Sequence, residues 1–99
     1  MYIYNVTVSI DKAIADEWHV WMKTVHIPMV METGYFTDYK MCRVLFVDDE
    51  GATFSTQYMF NNMEDIEAYQ KLEAPRLQAD MKALYDGKYA AFRTLLEVI

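Results

Sequence analysis

From Tyr2 to Ile10 the chain alternates without a break: Tyr2, Tyr4, Val6, Val8 and Ile10 fall on one side, Ile3, Asn5, Thr7 and Ser9 on the other. Period two with β-branched residues marks a strand buried on one face. Such a strand needs a cover over its apolar side and partner strands along its edges. The next stretch supplies the cover. Asp11 can cap a helix, its carboxylate suiting the positive helix end. Ile14, Trp18, Trp21, Met22 and Val25 then recur as one apolar stripe at helical spacing. Pro28 is expected to end this helix, because it has no N–H and its ring collides with the carbonyl of Thr24. Proline suits the first turn of a new helix, so Pro28 to Glu32 reads as a second short piece stopped by Gly34.

Strand patterns from Phe36 to Asp49 and from Ala52 to Phe60 flank an Asp48-Asp49-Glu50-Gly51 turn and make a hairpin. Asn62 opens a further helix, with Asp65 three residues later in the manner of a capping box. Ile66, Tyr69, Leu72, Leu77, Met81 and Leu84 form its apolar side, Pro75 kinks or splits it, and Asp86-Gly87 stops it. Lys88 to Val98 is the last strand. A chain of 99 residues makes one domain. The order β-α-β-β-α-β predicts an α+β, ferredoxin-like sandwich over residues 1–99, a four-stranded antiparallel sheet with the helices on one face.

The strands sort by which side is apolar. Tyr4, Val6, Val8, Cys42, Val44, Phe46, Phe54, Tyr58, Phe60, Phe92, Leu96 and Val98 are expected to face the helices. The opposite side is mixed, with Leu45, Ser55, Leu95 and Glu97 beside Asn5, Thr7, Met41, Arg43, Gln57 and Arg93. The last six suit a sheet that meets a second copy through polar contacts, so they form the expected dimer interface. Composition agrees: 54% of residues are hydrophobic, with eight Tyr and eight Met. That is more apolar material than so small a core readily holds.

Fifteen acidic residues stand against nine basic ones, without a basic run, which argues against a nucleic-acid surface. The single cysteine, Cys42, allows no internal disulfide and fits a reducing cytoplasm. The chain begins directly in strand pattern, so no signal peptide is expected. No apolar run approaches the ~20 residues of a membrane span.

In element order and in the run Trp18-x-x-Trp21…His26-Ile-Pro28…Gly34-x-Phe36 the chain resembles the dimeric α/β-barrel superfamily. That group includes antibiotic-biosynthesis monooxygenase-like, EthD-like, muconolactone isomerase-like and stress-responsive barrel domains. Tyr4-Asn-Val-Thr-Val8, Met41-Cys-Arg43, Gln57-Tyr58, Ala74-Pro-Arg-Leu77 and Phe92-Arg-Thr94 are similar to a bacterial family of about this length that is a domain of unknown function. The resemblance implies a fold and a homodimer. It brings no activity, since barrels of this shape do unrelated things.

His26 is the candidate catalytic residue. At a helix end made by Pro28 it can serve as a general base or as an axial haem ligand, as some barrel relatives use a helix histidine. Its structural alternative is a charge interaction with the helix C-terminus. His19 lies seven residues away, roughly 10 Å along a helix, so one metal ion cannot take both, and no metal site is expected. Tyr4, Trp18, Trp21, Met22, His26, Tyr58 and Phe92 can line an aromatic pocket or simply fill a core. Cys42 reads as a small buried hydrophobe. No nucleotide, serine-nucleophile or other cofactor motif occurs, so no cofactor is expected.

The leading expectation is a cytoplasmic homodimer that binds a small apolar or aromatic molecule in each protomer. The alternatives are a cofactor-independent monooxygenase or isomerase acting on a phenol, a haem-binding or haem-degrading protein using His26, and a pure assembly module.

Overall fold

The computed structural model describes residues 1–47 and 51–99. The turn read over Asp48, Asp49 and Glu50 lies outside the described residues. Four strands, β1 (Tyr2–Asp11), β2 (Asp38–Arg43), β3 (Gly51–Phe60) and β4 (Tyr89–Glu97), form one sheet in the order β2-β3-β1-β4. Every pairing is antiparallel. The helical elements all pack on one side of it: Trp18 meets Phe54 at 5.1 Å between ring centroids, and Tyr69 meets Tyr4 at 5.9 Å. This is the expected α+β, ferredoxin-like architecture. No helix among the described residues is long and apolar enough to cross a membrane.

The first helical region differs from expectation in an informative way. Asp11 caps a short 3-10 turn, accepting the Ala13 N–H at 2.9 Å, and α1 (Ala15–Trp21) comes next. Pro28 does not break the helix. Met22–His26 form one π-helical turn, in which the Ile27 N–H reaches back to the Met22 carbonyl, and α2 (Ile27–Glu32) continues from it. The wider turn falls where an α-helical Pro28 would have left the Thr24 carbonyl without a donor and struck it with its ring. The extra residue also rotates the helix beyond it. Val25, expected in the apolar stripe, is 41% exposed, and its place inside is taken by Ile27 at 1%.

Pro75 splits the later helix as expected: α3 (Met63–Leu72) ends one residue before α4 (Ala74–Tyr85), where proline occupies the first turn. Gly34 and Gly87 close their helices at φ of +82° and +77°, a conformation open to glycine at no steric cost. The second strand is shorter than the sequence suggests. Pairing ends with the Val44 N–H donating to Thr53, and Phe46, at φ 58°, is no longer strand.

Cross-strand partners share a face, and the register corrects two strands. Tyr4, Val6 and Val8 stand opposite Leu95, Arg93 and Ala91, so Tyr89, Ala91, Arg93 and Leu95 face the helices. Phe92 and Leu96 lie on the open side, reversing the expected order. In β2, Tyr39, Met41 and Arg43 stand opposite Tyr58, Thr56 and Phe54 on the helix side, while Lys40 and Cys42 face the open side. Both β4 parities are apolar, so alternation could not choose between them; the turn chooses. Lys88 N–H donates to Tyr85 and the Asp11 N–H donates to Lys88, which pins where β4 starts.

Candidate functional site

Between helices and sheet lies a small cavity, about 40 Å³ open to the centre of a water molecule. Such a space holds water-sized groups rather than a large ligand. Each wall derives from one of the elements above. The pleat of β1 turns Tyr4, Val6 and Val8 inward, β3 adds Thr56 and Tyr58, and β4 adds Tyr89, Ala91 and Arg93. The π turn contributes Met22 and His26, α3 Tyr69, and α4 Gln78 and Met81. Gln78, Tyr89, Ala91 and Arg93 also line an open cleft of about 400 Å³ between α4 and β4, where Lys82 joins them. Cavity and cleft therefore share their walls along β4.

Tyr4 sits at the centre of an aromatic cluster, 6.2 Å from Tyr58, 5.9 Å from Tyr69 and 6.1 Å from Phe36 between centroids. Burial raises the pKa of all three tyrosines, and their neighbouring hydroxyls push Tyr58 and Tyr69 up further. In Tyr4 the charge and hydrogen bond of the Arg93 guanidinium oppose that rise. All three are neutral donors and acceptors at physiological pH.

His26 is the nitrogen base of the site. Burial lowers its pKa to about 4; the Asp80 carboxylate pulls the other way and Arg93 adds to the fall. It is not at a helix terminus, because the π turn carries the helix straight on, so the expected interaction with a helix C-terminus has no structural basis. A neutral imidazole in a wall shared with Tyr4, Tyr58 and Tyr69 can accept a proton or a hydrogen bond.

Of the seven residues expected to bind a ligand, the fold brings Tyr4, Met22, His26 and Tyr58 into the cavity wall. Trp18 lies beneath, fully buried, its indole N–H without a hydrogen-bond partner. Trp21 backs His26 rather than lining the space, its ring stacked on the imidazole at 5.1 Å. Phe92 is 63% exposed on the opposite side of the sheet, as its register requires. Tyr69, Gln78, Tyr89 and Arg93 line the space without having been expected there. Tyr69 was visible as a polar-tipped member of the α3 stripe, whereas Gln78 carries no signal in sequence.

Of the six expected interface residues, Asn5, Thr7 and Gln57 lie on the open face. Met41, Arg43 and Arg93 do not: the corrected registers turn them towards the helices, where Arg43 lies 4.9 Å from the centre of the Phe54 ring. Across the open face the Asn5 amide donates to Thr7 at 3.1 Å and accepts from Ser55 at 2.6 Å. Its polar group is thus satisfied within the sheet, between the exposed side chains of Phe92 and Leu96 on one edge and Cys42 on the other.

The fold is shared with solved structures of low sequence identity. An EthD family protein from Bacillus halodurans C-125 superposes with a TM-score of 0.70 at 12% identity, covering 100% of both chains. A putative antibiotic biosynthesis monooxygenase from Nitrosomonas europaea gives 0.68 at 13% identity, over 100% of this chain and 99% of the other. A dimeric ferredoxin-like protein from an uncultured marine organism gives 0.66 at 9% identity, over 100% and 95%. At these identities the likeness shows the fold alone. No protein of curated function matches the chain. A family profile matches all of residues 1–99, and the chain belongs to that family, the domain of unknown function DUF4286.

Proposed function

We propose that this protein is a homodimer whose protomers each bind a small, largely aromatic molecule between helices and sheet. The observation that carries the reading is an open cleft of about 400 Å³ that shares Gln78, Tyr89, Ala91 and Arg93 with the small cavity walled by Tyr4, Tyr58, Tyr69 and His26. Apolar walls with a few converging polar groups are what small-molecule sites consist of. The dimer is supported by the open sheet face, whose charges among the described residues, Asp11, Asp38 and Lys40, stand at its rim. It is supported too by a neighbour of the same fold that is dimeric.

Chemical-shift mapping with phenol as the probe tests the binding. Amide shifts confined to His26, Tyr69, Gln78 and Ala91 are expected. Shifts confined to the open face, or none at all, overturn the reading.

A second reading, a cofactor-independent oxygenase or isomerase acting on a phenolic substrate, rests on His26. A neutral imidazole in the wall of this cavity is equipped to take a proton from a phenol bound beside it. The haem reading finds less support, since the space beside His26 has no room for a porphyrin and Trp21 covers one face of its ring.

A further inference from the structure

We propose that the small cavity is a buried hydration site, holding water that joins the hydroxyls of Tyr58 and Tyr69 to each other and to Thr56 in the same wall. This goes beyond the binding reading above and does not depend on it, since the water is held whether or not a molecule lies in the cleft.

The cavity is sized for water. About 40 Å³ is open to the centre of a water molecule, and one water needs only roughly 10–15 Å³ of such space. A few waters fit there; an aromatic ring does not.

The hydroxyls in its wall are buried and unpaired. Tyr58, Tyr69 and Thr56 are 3%, 4% and 2% exposed, and all three line the cavity. Hydroxyls held this deeply normally have a partner. Yet no side-chain hydrogen bond among the described residues involves any of the three; such bonds join Asn5 to Thr7 and Ser55, and Arg76 to Glu73. Nor are they sealed as Trp18 is. Its indole N–H is the one buried side-chain polar atom among the described residues that lacks both a partner and contact with a water-sized molecule. The three hydroxyls are therefore reached by such a molecule, and the cavity is the space they share.

The two phenols also lie close together. The Tyr4 ring stands 6.2 Å from that of Tyr58 and 5.9 Å from that of Tyr69. After burial, the Tyr69 hydroxyl is what most disfavours ionisation of Tyr58. Polar groups that are near one another without a direct bond are the usual place for a bridging water. A hydroxyl both donates and accepts, which water matches. An apolar guest of the same size, such as a gas molecule, would leave the hydroxyls unpaired. His26 stands in the same wall, so the water shares this space with a base.

The test is oxygen-17 relaxation dispersion, which registers water held far longer than surface water, run with urea unfolding on the wild type, Tyr58→Phe, Tyr69→Phe and the double variant. The wild type should hold at least one long-lived water, and the double variant fewer. Each single variant should unfold at lower urea than the wild type, whereas loss of an unbonded hydroxyl would leave the midpoint unchanged or raise it. In the wild type, magnetisation should pass from water to methyl groups of Val6, Val8, Met22 or Met81, which line the cavity. Absence of any long-lived water from the wild type overturns the proposal, whether or not the variants fold. A long-lived water that persists in the folded double variant, or that reaches none of these methyl groups, overturns it as well. So do phenylalanine variants as stable as the wild type. None of these results bears on the phenol titration, so the two readings fail separately.

Discussion

The Trp21 ring lies over the His26 imidazole, 5.1 Å between centroids and 29° from parallel, and takes no part in the cavity wall. One residue forms the site and the other keeps water from its back. Trp21→Ala should therefore readmit solvent to the imidazole, since burial is the largest cause of its lowered pKa. Proton NMR should show the His26 midpoint rising from about 4 towards 6.5. A midpoint unchanged by the substitution would mean that the other walls of the site desolvate it.

The same shift makes stability depend on pH. A folded pKa below the unfolded value means that the unfolded chain binds more protons between pH 4 and 6.5. Stability is then full above pH 6.5, falls as pH drops through that window, and is lowest below pH 4, by on the order of 3 kcal/mol for this group. His26→Gln should flatten the window, so that urea midpoints at pH 7 and pH 5 differ less than in the wild type. Equal differences would show that other groups carry the dependence.

Trp18 is fully buried against Phe54. Its truncation to alanine should cost roughly 3–5 kcal/mol in urea unfolding. Trp18→Phe should cost clearly less, because the lost indole N–H has no partner to leave behind. A phenylalanine variant as unstable as the alanine one would point to a hydrogen bond to a buried water.

Phe92 is 63% exposed on the open face, on the edge strand β4 and opposite Thr7. Phe92→Asp should give monomers by light scattering at micromolar concentration while the helix-side core, and hence the far-ultraviolet circular dichroism, stays unchanged. A dimer that survives the aspartate would place the interface elsewhere.

How much of this was legible depends on the element. The first strand could be read outright, because Tyr2 to Ile10 offers one apolar parity and one polar one. The last could not: Tyr89, Ala91 and Leu95 compete with Ala90, Phe92 and Leu96, and only the tie from Lys88 to Asp11 and Tyr85 decides. That single ambiguity moved Arg93 from an expected interface to the wall of the cavity and took Phe92 out of it. Tyr4, Met22 and Tyr58 were recognisable because they lie on faces whose apolar pattern is clean. His26 was recognisable as a residue but not as an environment, since the sequence signals a break at Pro28 and the backbone answers with a wider turn.

That turn makes the stretch from Met22 to His26 behave like a reading frame. Each residue of a helix advances it by about 100°. Ala15, Trp18 and Met22 are in phase with the core before the turn; Ile27 and Val30 are in phase after it, one residue out of step with the first set. Deleting one residue between them would remove the extra residue and leave Ile27 and Val30 in phase as plain α-helix, but it would set the Pro28 ring against the carbonyl four residues before it. Inserting one more would instead swing Ile27 and Val30 outward, so the length of this stretch answers to the proline that follows it.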